Sequence, residues 1–440
     1  MTEALGLLWD YIPVPILALD FILMILLYRR MKDRFVLRPI FIIPLILLIY
    51  PILGTLNLAL VQSLAGFYVA INPYNANRLV FLSLGALILS LIFYKSEAAP
   101  KPAIVRFDGT SLIIWIIWGT AIGTVFNAVN FYAIGGIPIF WSNLTGNERF
   151  EVAGLLPFAK FLAFSSALLT LNFIYLIRGY KPRLINIACM IVNVIISVGI
   201  GSRHLVFLPL VMAGIYFMLL KRISSRVVLY SLIGVAFLSF FFEVLRGQTT
   251  IAGSTSDVAS SPAANTLGFL YSMGGEYRDF VLLRNSYHYT DFLYGQTILP
   301  IFTNIIPKQV FELFGMDKAA YSVYSAYVAQ NIWGADTGIR VGIWGEFYMN
   351  WGDIGLFLGF IVYGFLLRLL DKKILSDLAS EPKMLFYAFI FTLFFFSIIG
   401  AWATLGDTIE VWGVIYFLVS RFVRRESYEM TTNVPQPVQA

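Results

Sequence analysis

The sequence predicts an all-α protein that crosses a membrane about eleven times and carries one large outer loop with short helices of its own. Three observations predict it. Hydrophobic residues make up 59% of the 440 residues and charged residues only 13%, with a mean hydropathy of +0.79, whereas soluble domains run nearer ~45–50% apolar and ~25% charged. Apolar runs of spanning length recur along the chain. The basic residues between those runs gather on alternate loops. This composition excludes a soluble enzyme, a disordered chain and a nucleic-acid binder, because the net charge of +6 sits in short patches between apolar runs.

A spanning helix needs roughly 17–25 mostly apolar residues. The predicted spans are about 12–28, 39–61, 79–94, 111–134, 155–177, 184–200, 205–220, 227–245, 352–370, 384–401 and 408–424. The first follows Glu3 and Asp10, lacks a basic leader and is trailed by Arg29 and Arg30, so it reads as a retained helix and not a cleaved signal. The second contains the unbroken apolar run Phe41–Ile49, which the alternating strands of a membrane barrel do not show. The sixth and seventh are separated only by Gly201–His204; fused into one long helix, they would break the charge sidedness of the two halves, so they count as two. The resulting organisation is an eight-helix bundle (1–245), a large outer loop (246–351), three further helices (352–424) and a polar tail (425–440).

Basic residues orient the bundle. One set of loops holds 21 of the 31 Lys and Arg, from Arg29, Arg30, Lys32, Arg34 and Arg38 through to Arg421, Arg424 and Arg425. The positive-inside rule makes that side cytoplasmic and puts the N-terminus outside. Asp20, within the first span, is an intramembrane carboxylate, which marks either function or a helix-packing hydrogen bond.

The outer loop is dense in aromatics, including Phe269, Tyr271, Tyr287, Phe292 and Tyr294; Tyr321, Tyr324 and Tyr327 recur at spacing that suits one face of an interfacial helix. Either an aromatic belt or sugar stacking accounts for them. Arg203, Arg278, Arg284 and Arg340 gather at this face against the positive-inside bias. Guanidinium groups bind phosphate oxygens in bidentate fashion, so a phosphate-bearing ligand fits; singly, each Arg also suits snorkelling to headgroups. There is no P-loop, no glycine-rich dinucleotide turn, no HExxH and no Asp-X-Asp, and the cytoplasmic loops are too short to hold a nucleotide sugar. One cysteine, Cys189, and two histidines, His204 and His288, argue against disulfides and a metal site. Any donor is therefore expected to arrive already activated in the membrane, and no cofactor is expected.

Three segments carry a resemblance: Gly199-Ile-Gly-Ser-Arg203; Asp291–Leu299 running on to Ile306-Pro307-Lys308; and Gly345-Glu-Phe-Tyr-Met-Asn-Trp-Gly-Asp-Ile-Gly355. Arg284 and Gly295 add an Arg-X10-Gly spacing. Together, over residues 199–370, these resemble the Wzy-type O-antigen, or oligosaccharide repeat-unit, polymerases; Lys308 stands where an Arg is common there. The resemblance implies a bacterial cytoplasmic-membrane glycosyltransferase with a GT-C-like helical fold. Its implied donor is a chain on undecaprenyl pyrophosphate and its acceptor a new lipid-linked repeat unit. A chain-length regulator and a flippase are implied as partners beside the bilayer. Arg203, Arg278, Arg284 and Arg340 are then candidates for the pyrophosphate, with His204 orienting Arg203 and with Tyr294 and Gly295 at the sugar. Glu346 and His288 are candidates for proton handling, and Asp279 and Asp291 are weaker ones. Glu346 also suits a helix N-terminal carboxylate, and His288 a solvated loop residue. A lipid-linked sugar flippase would show repeats and broken helices at mid-membrane, and no repeat is visible. An O-antigen ligase would place a His before Asn, Ser or Gln; Tyr289 follows His288 here. A purely structural membrane protein leaves the outer arginines unexplained.

Overall fold

The computed structural model describes residues 10–31, 38–65, 72–94, 105–137, 160–199, 204–220, 275–286, 292–303, 308–317, 341–377, 380–399 and 409–427, with Phe158 and Ile306. The helices follow the apolar runs: α1 (Val14–Arg30), α2 (Pro39–Ala65), α3 (Tyr74–Ile92), α4 (Gly109–Ala133), α5 (Lys160–Arg178), α6 (Arg183–Gly199) and α7 (His204–Leu219). The predicted outer loop contributes α8 (Gly275–Ser286), α9 (Pro300–Thr303) and α10 (Lys308–Leu313). Then come α11 (Gly342–Asp377), α12 (Glu381–Ile399) and a π-helical turn (Ile409–Gly413) that opens α13 (Val414–Phe422). Six stretches among the described residues are long and apolar enough to cross a membrane, in α2, α3, α4, α5, α11 and α12. The chain is a polytopic, mostly helical membrane protein. The sixth and seventh predicted spans are two helices, and the eighth, 227–245, lies outside the described residues.

Helix faces divide as lipid solvation requires. On α4 the outward positions Ile114, Trp118, Ile122, Val125 and Val129 are exposed and apolar, while Gly119, Thr120, Gly123, Asn127 and Asn130 are buried. Without a hydrophobic drive between helices in lipid, close packing by small residues and hydrogen bonds join them. A Cβ at Gly119 would stand 2.8 Å from Leu168, and one at Gly123 would stand 2.9 Å from Ser165 Oγ, so α4 and α5 touch backbone to side chain. The Asn127 amide nitrogen donates to the Phe161 carbonyl at 2.9 Å, and Asn193 donates to Thr120 Oγ1 at 3.0 Å. Helix α3 packs between α1, α2 and α11; α5 packs against α4, α6 and α7; α12 bridges α7 and α11.

One end of the bundle is clasped. Strand β1 (Val105–Phe107) pairs antiparallel with β2 (Arg425–Ser427), with Arg106 opposite Glu426. Buried Glu381, at the start of α12, pairs with Arg178 at the end of α5 and accepts from the Phe107 backbone N–H at 3.4 Å. Buried Arg38 forks onto buried Asp371. All these partners belong to the chain ends that the basic residues assign to the cytoplasm.

Candidate functional site around the break in α11

Helix α11 is two helices joined at Trp351–Gly352. Trp351 has φ −146° and ψ 15°, and Gly352 has φ 64° and ψ −151°, a region open essentially to glycine alone. The first arm, Gly342–Asn350, is buried along its whole length. The second arm, from Asp353, is the span the sequence predicts, though it runs past residue 370 to Asp377. Glu346, expected just outside that span, lies within the buried arm at 1% exposure.

Two elements grip the break from different sides. Helix α8 lies against one face of the first arm. Tyr277 packs edge-on to Trp344 at 5.2 Å between ring centres, Phe280 packs on Tyr348, and Trp344 stacks on Tyr50 of α2. Trp344 and Tyr348 are four residues apart, so they share that face. The Tyr277 hydroxyl donates to Asn77 Oδ1 at 2.6 Å, and the Tyr50 hydroxyl donates to Glu276 at 2.6 Å. Burial holds the Tyr277 phenol well above its ordinary pKa, opposed by the nearby Arg284 guanidinium, so it stays a neutral donor. At the far end of α8, Arg284 forks onto Asp353, Nε to Oδ1 at 3.2 Å and Nη2 to Oδ2 at 3.0 Å, and lies 5.9 Å from the centre of the Tyr348 ring.

The segment after α8 grips the opposite side. The first arm ends with carbonyls that have no partner within the helix. Leu293 N–H donates to the Met349 carbonyl at 2.9 Å and Tyr294 N–H to the Asn350 carbonyl at 3.1 Å. The Asn350 side chain completes the clamp: its Oδ1 accepts from Gly295 N–H at 2.7 Å, and its Nδ2 donates to Thr297 Oγ1 at 2.6 Å and to the Glu346 carbonyl at 2.7 Å. These bonds hold Tyr294 at φ 44°, unusual for a bulky residue, and leave the residue 73% exposed. Gly295, at φ 93°, approaches the Trp351 ring.

The structure therefore gathers Arg284, Tyr294, Gly295 and Glu346 around one helix break. Arg278, on α8, is bonded to Asp279 at 2.6 and 2.8 Å. Glu346 and Asn350 lie about 200° around the arm from Trp344 and Tyr348, so the carboxylate shares the face under residues 293–297, not the face under α8. His204 opens α7; Arg203, His288, Asp291 and Arg340 lie outside the described residues. In the sequence, Asp353 and Asn350 stand out only as members of the Gly345–Gly355 motif. Both turn out to be the residues that tie the break together. No local signal links Arg284 to a partner 69 positions away. Among the described residues no group of three or more His, Cys, Asp and Glu could hold a metal ion.

Comparison with protein-family models matches residues 152–425, more than half of the chain, to the model described as O-antigen polysaccharide polymerase Wzy. No curated protein and no solved structure matches.

Proposed function

The chain belongs to the O-antigen polysaccharide polymerase Wzy family, and from that premise we propose that it joins lipid-linked oligosaccharide repeat units into long chains at the outer face of the bacterial cytoplasmic membrane. The observation that carries this reading is the clamped break in α11, which puts a guanidinium, two carboxylates and an exposed tyrosine at one end of a membrane bundle.

The donor in this proposal is a growing chain on undecaprenyl pyrophosphate, and the acceptor is the non-reducing end of a new lipid-linked unit. The acceptor hydroxyl oxygen attacks the anomeric carbon of the donor. The bond from that carbon to the pyrophosphate oxygen breaks, and its electron pair leaves with the pyrophosphate. Fixed cations act most strongly where charge develops, and Arg284, aided by Arg203, Arg278 and Arg340, supplies them. Asp353 fixes the plane of the Arg284 guanidinium. Glu346 receives the hydroxyl proton, with His288 as second candidate, and Tyr294 offers a ring on which a sugar stacks. No step calls for a metal or a nucleotide. A flippase and a chain-length regulator are the proposed partners.

Purified protein supplied with undecaprenyl-pyrophosphate repeat units tests this. A ladder of lipid-linked chains, formed in chelator, is the expected result. Unchanged single units from folded protein overturn the polymerase reading, and a ladder that requires added divalent cation overturns its metal independence.

A further inference from the structure

We propose that the segment Leu299–Met316 is seated in the outer leaflet of the bilayer, as an apolar foot beside the break in α11. Most of the large apolar side chains among its described residues face outward. Phe302 is 63% exposed, Leu313 81% and Phe314 69%, with Leu299, Ile306, Val310 and Met316 also exposed. Among the described residues of α10, Phe311 turns inward and is buried, which fixes the orientation of the helix and leaves Val310 and Leu313 pointing away from the protein. Large exposed apolar side chains recurring over one short segment mark an interaction site, because soluble proteins rarely gather them in water.

The occupant follows from what the segment adjoins. It begins four residues after Gly295, where an added Cβ would stand 3.4 Å from the Trp351 ring, and Phe292 covers Gly352 so closely that a Cβ there would stand 2.6 Å from the Phe292 ring. Directly beyond that point the second arm of α11 turns its own exposed apolar side chains outward: Ile354, Phe357, Leu358, Ile361, Val362 and Phe365. Those belong to the span and face acyl chains. The foot thus starts, through the Leu299 N–H bond to the Gly295 carbonyl, beside the edge of this exposed apolar face, where a partly exposed Trp351 also sits, as Trp does at the interface. Glu312 and Asp317 are exposed and suit the headgroup side of such an element. Short helices interrupted by turns can lie there because the headgroup zone, unlike the hydrocarbon core, supplies water to backbone groups.

The inference does not depend on which residues perform catalysis, and its test requires no substrate. In a Cys189→Ser background, single substitutions Phe302→Cys, Leu313→Cys and Phe314→Cys carry a nitroxide label in full-length protein in nanodiscs. Ile354→Cys is the lipid-facing reference, and Ser376→Cys, exposed at the opposite end of α11, is the aqueous one. Collisions with oxygen and with a water-soluble nickel chelate are read by electron paramagnetic resonance saturation. The expected result is an oxygen-to-nickel ratio shifted to that of Ile354→Cys at all three positions. A ratio like that of Ser376→Cys places the segment in water and overturns the proposal. Low collision with both reagents shows the face covered by protein, a second copy included, and overturns it equally. Agreement between positions guards against one substitution disturbing the fold.

Discussion

The Arg284 guanidinium and the Asp353 carboxylate meet in a two-bond fork that ties the end of α8 to the residue directly after the break in α11. Each partner retains some exposure, so the pair contributes about 1 kcal/mol or less to stability. Its geometric effect is larger, since it fixes a cation at the clamp. Arg284→Ala and Asp353→Ala are each expected to leave short or single lipid-linked units at normal protein abundance. The exchange Arg284→Asp with Asp353→Arg restores the fork but moves the cation to the other element. It is expected to stay inactive in a chain-length assay, and recovery of long chains in the exchange would reduce the pair to a strut.

Gly352→Ala tests whether the break itself is required. The alanine would have to hold φ 64° and ψ −151°, and its Cβ would meet Phe292. Strain of this kind costs roughly 1–3 kcal/mol. Phe292→Ala removes the contact but not the dihedral strain, so the double variant should recover only part of the lost thermal stability. Full recovery would show that crowding, and not backbone conformation, makes glycine necessary there.

The helices of the bundle were legible because their apolar runs are long, and Arg29, Arg178 and Arg421 stand in the last turns of their helices, where the sequence places the span ends. The span after Gly352 runs on to Asp377 because Lys372 and Lys373 stop an apolar run without stopping a helix, and Ile374 buries a further turn. Gly342–Asn350 escaped notice for the opposite reason. Glu346 and Asn350 interrupt its apolar character, so it reads as loop, yet every residue in it is buried, with α2, α8, α12 and residues 293–297 packed against it. The three-residue pairing of Val105–Phe107 with Arg425–Ser427 has no local signature, since its register is set by elements more than three hundred residues apart. Of the candidate site, Arg284, Tyr294 and Gly295 were legible as single residues, while the ties that hold them at the break, through Asp353 and Asn350, exist only in three dimensions.

Asp20 and Gly85 form a second close approach with a measurable consequence. Asp20 is buried within α1, and its carboxylate oxygens have no hydrogen-bond partner among the described residues. A Cβ at Gly85 would stand 2.7 Å from one of them. Gly85→Ala should therefore lower the melting temperature, by overpacking worth about 1–3 kcal/mol. Asp20→Ala, which removes the opposing atoms, should suppress that loss in the double variant. Additive effects of the two substitutions would show that the side chains do not share this space.

At the clasp formed by β1, β2, Arg178 and Glu381, Glu381 is expected to matter far more than Arg106. Glu381 and Arg178 are both buried and paired, and removing one partner leaves the other charge stranded, a loss of about 3–5 kcal/mol. Arg106 reaches Glu381 only at 4.0 Å and stays about a third exposed. Glu381→Ala should thus lower thermal stability sharply in detergent, and Arg106→Ala should change it little. Similar losses from both would mean that the strand pairing around Phe107, and not the buried pair, holds the clasp.

Glu346→Gln separates proton transfer from packing. The carboxylate lies in a buried arm whose face is closed by residues 293–297, and glutamine fills nearly the same volume there while losing the ability to accept a proton. A general base contributes on the order of 10²–10⁴-fold to rate, so the variant should fold, bind lipid-linked substrate and lose polymerisation by about that factor. Asn350→Ala is the matching structural control. It removes the bonds to Gly295 and Thr297 without touching the carboxylate, and should weaken the clamp enough to lower thermal stability along with activity. Loss of activity without loss of stability in Glu346→Gln, set against loss of both in Asn350→Ala, would identify the carboxylate as the proton acceptor. Polymerisation by Glu346→Gln at the wild-type rate would leave Glu346 a packing residue and move proton transfer to another group at the break.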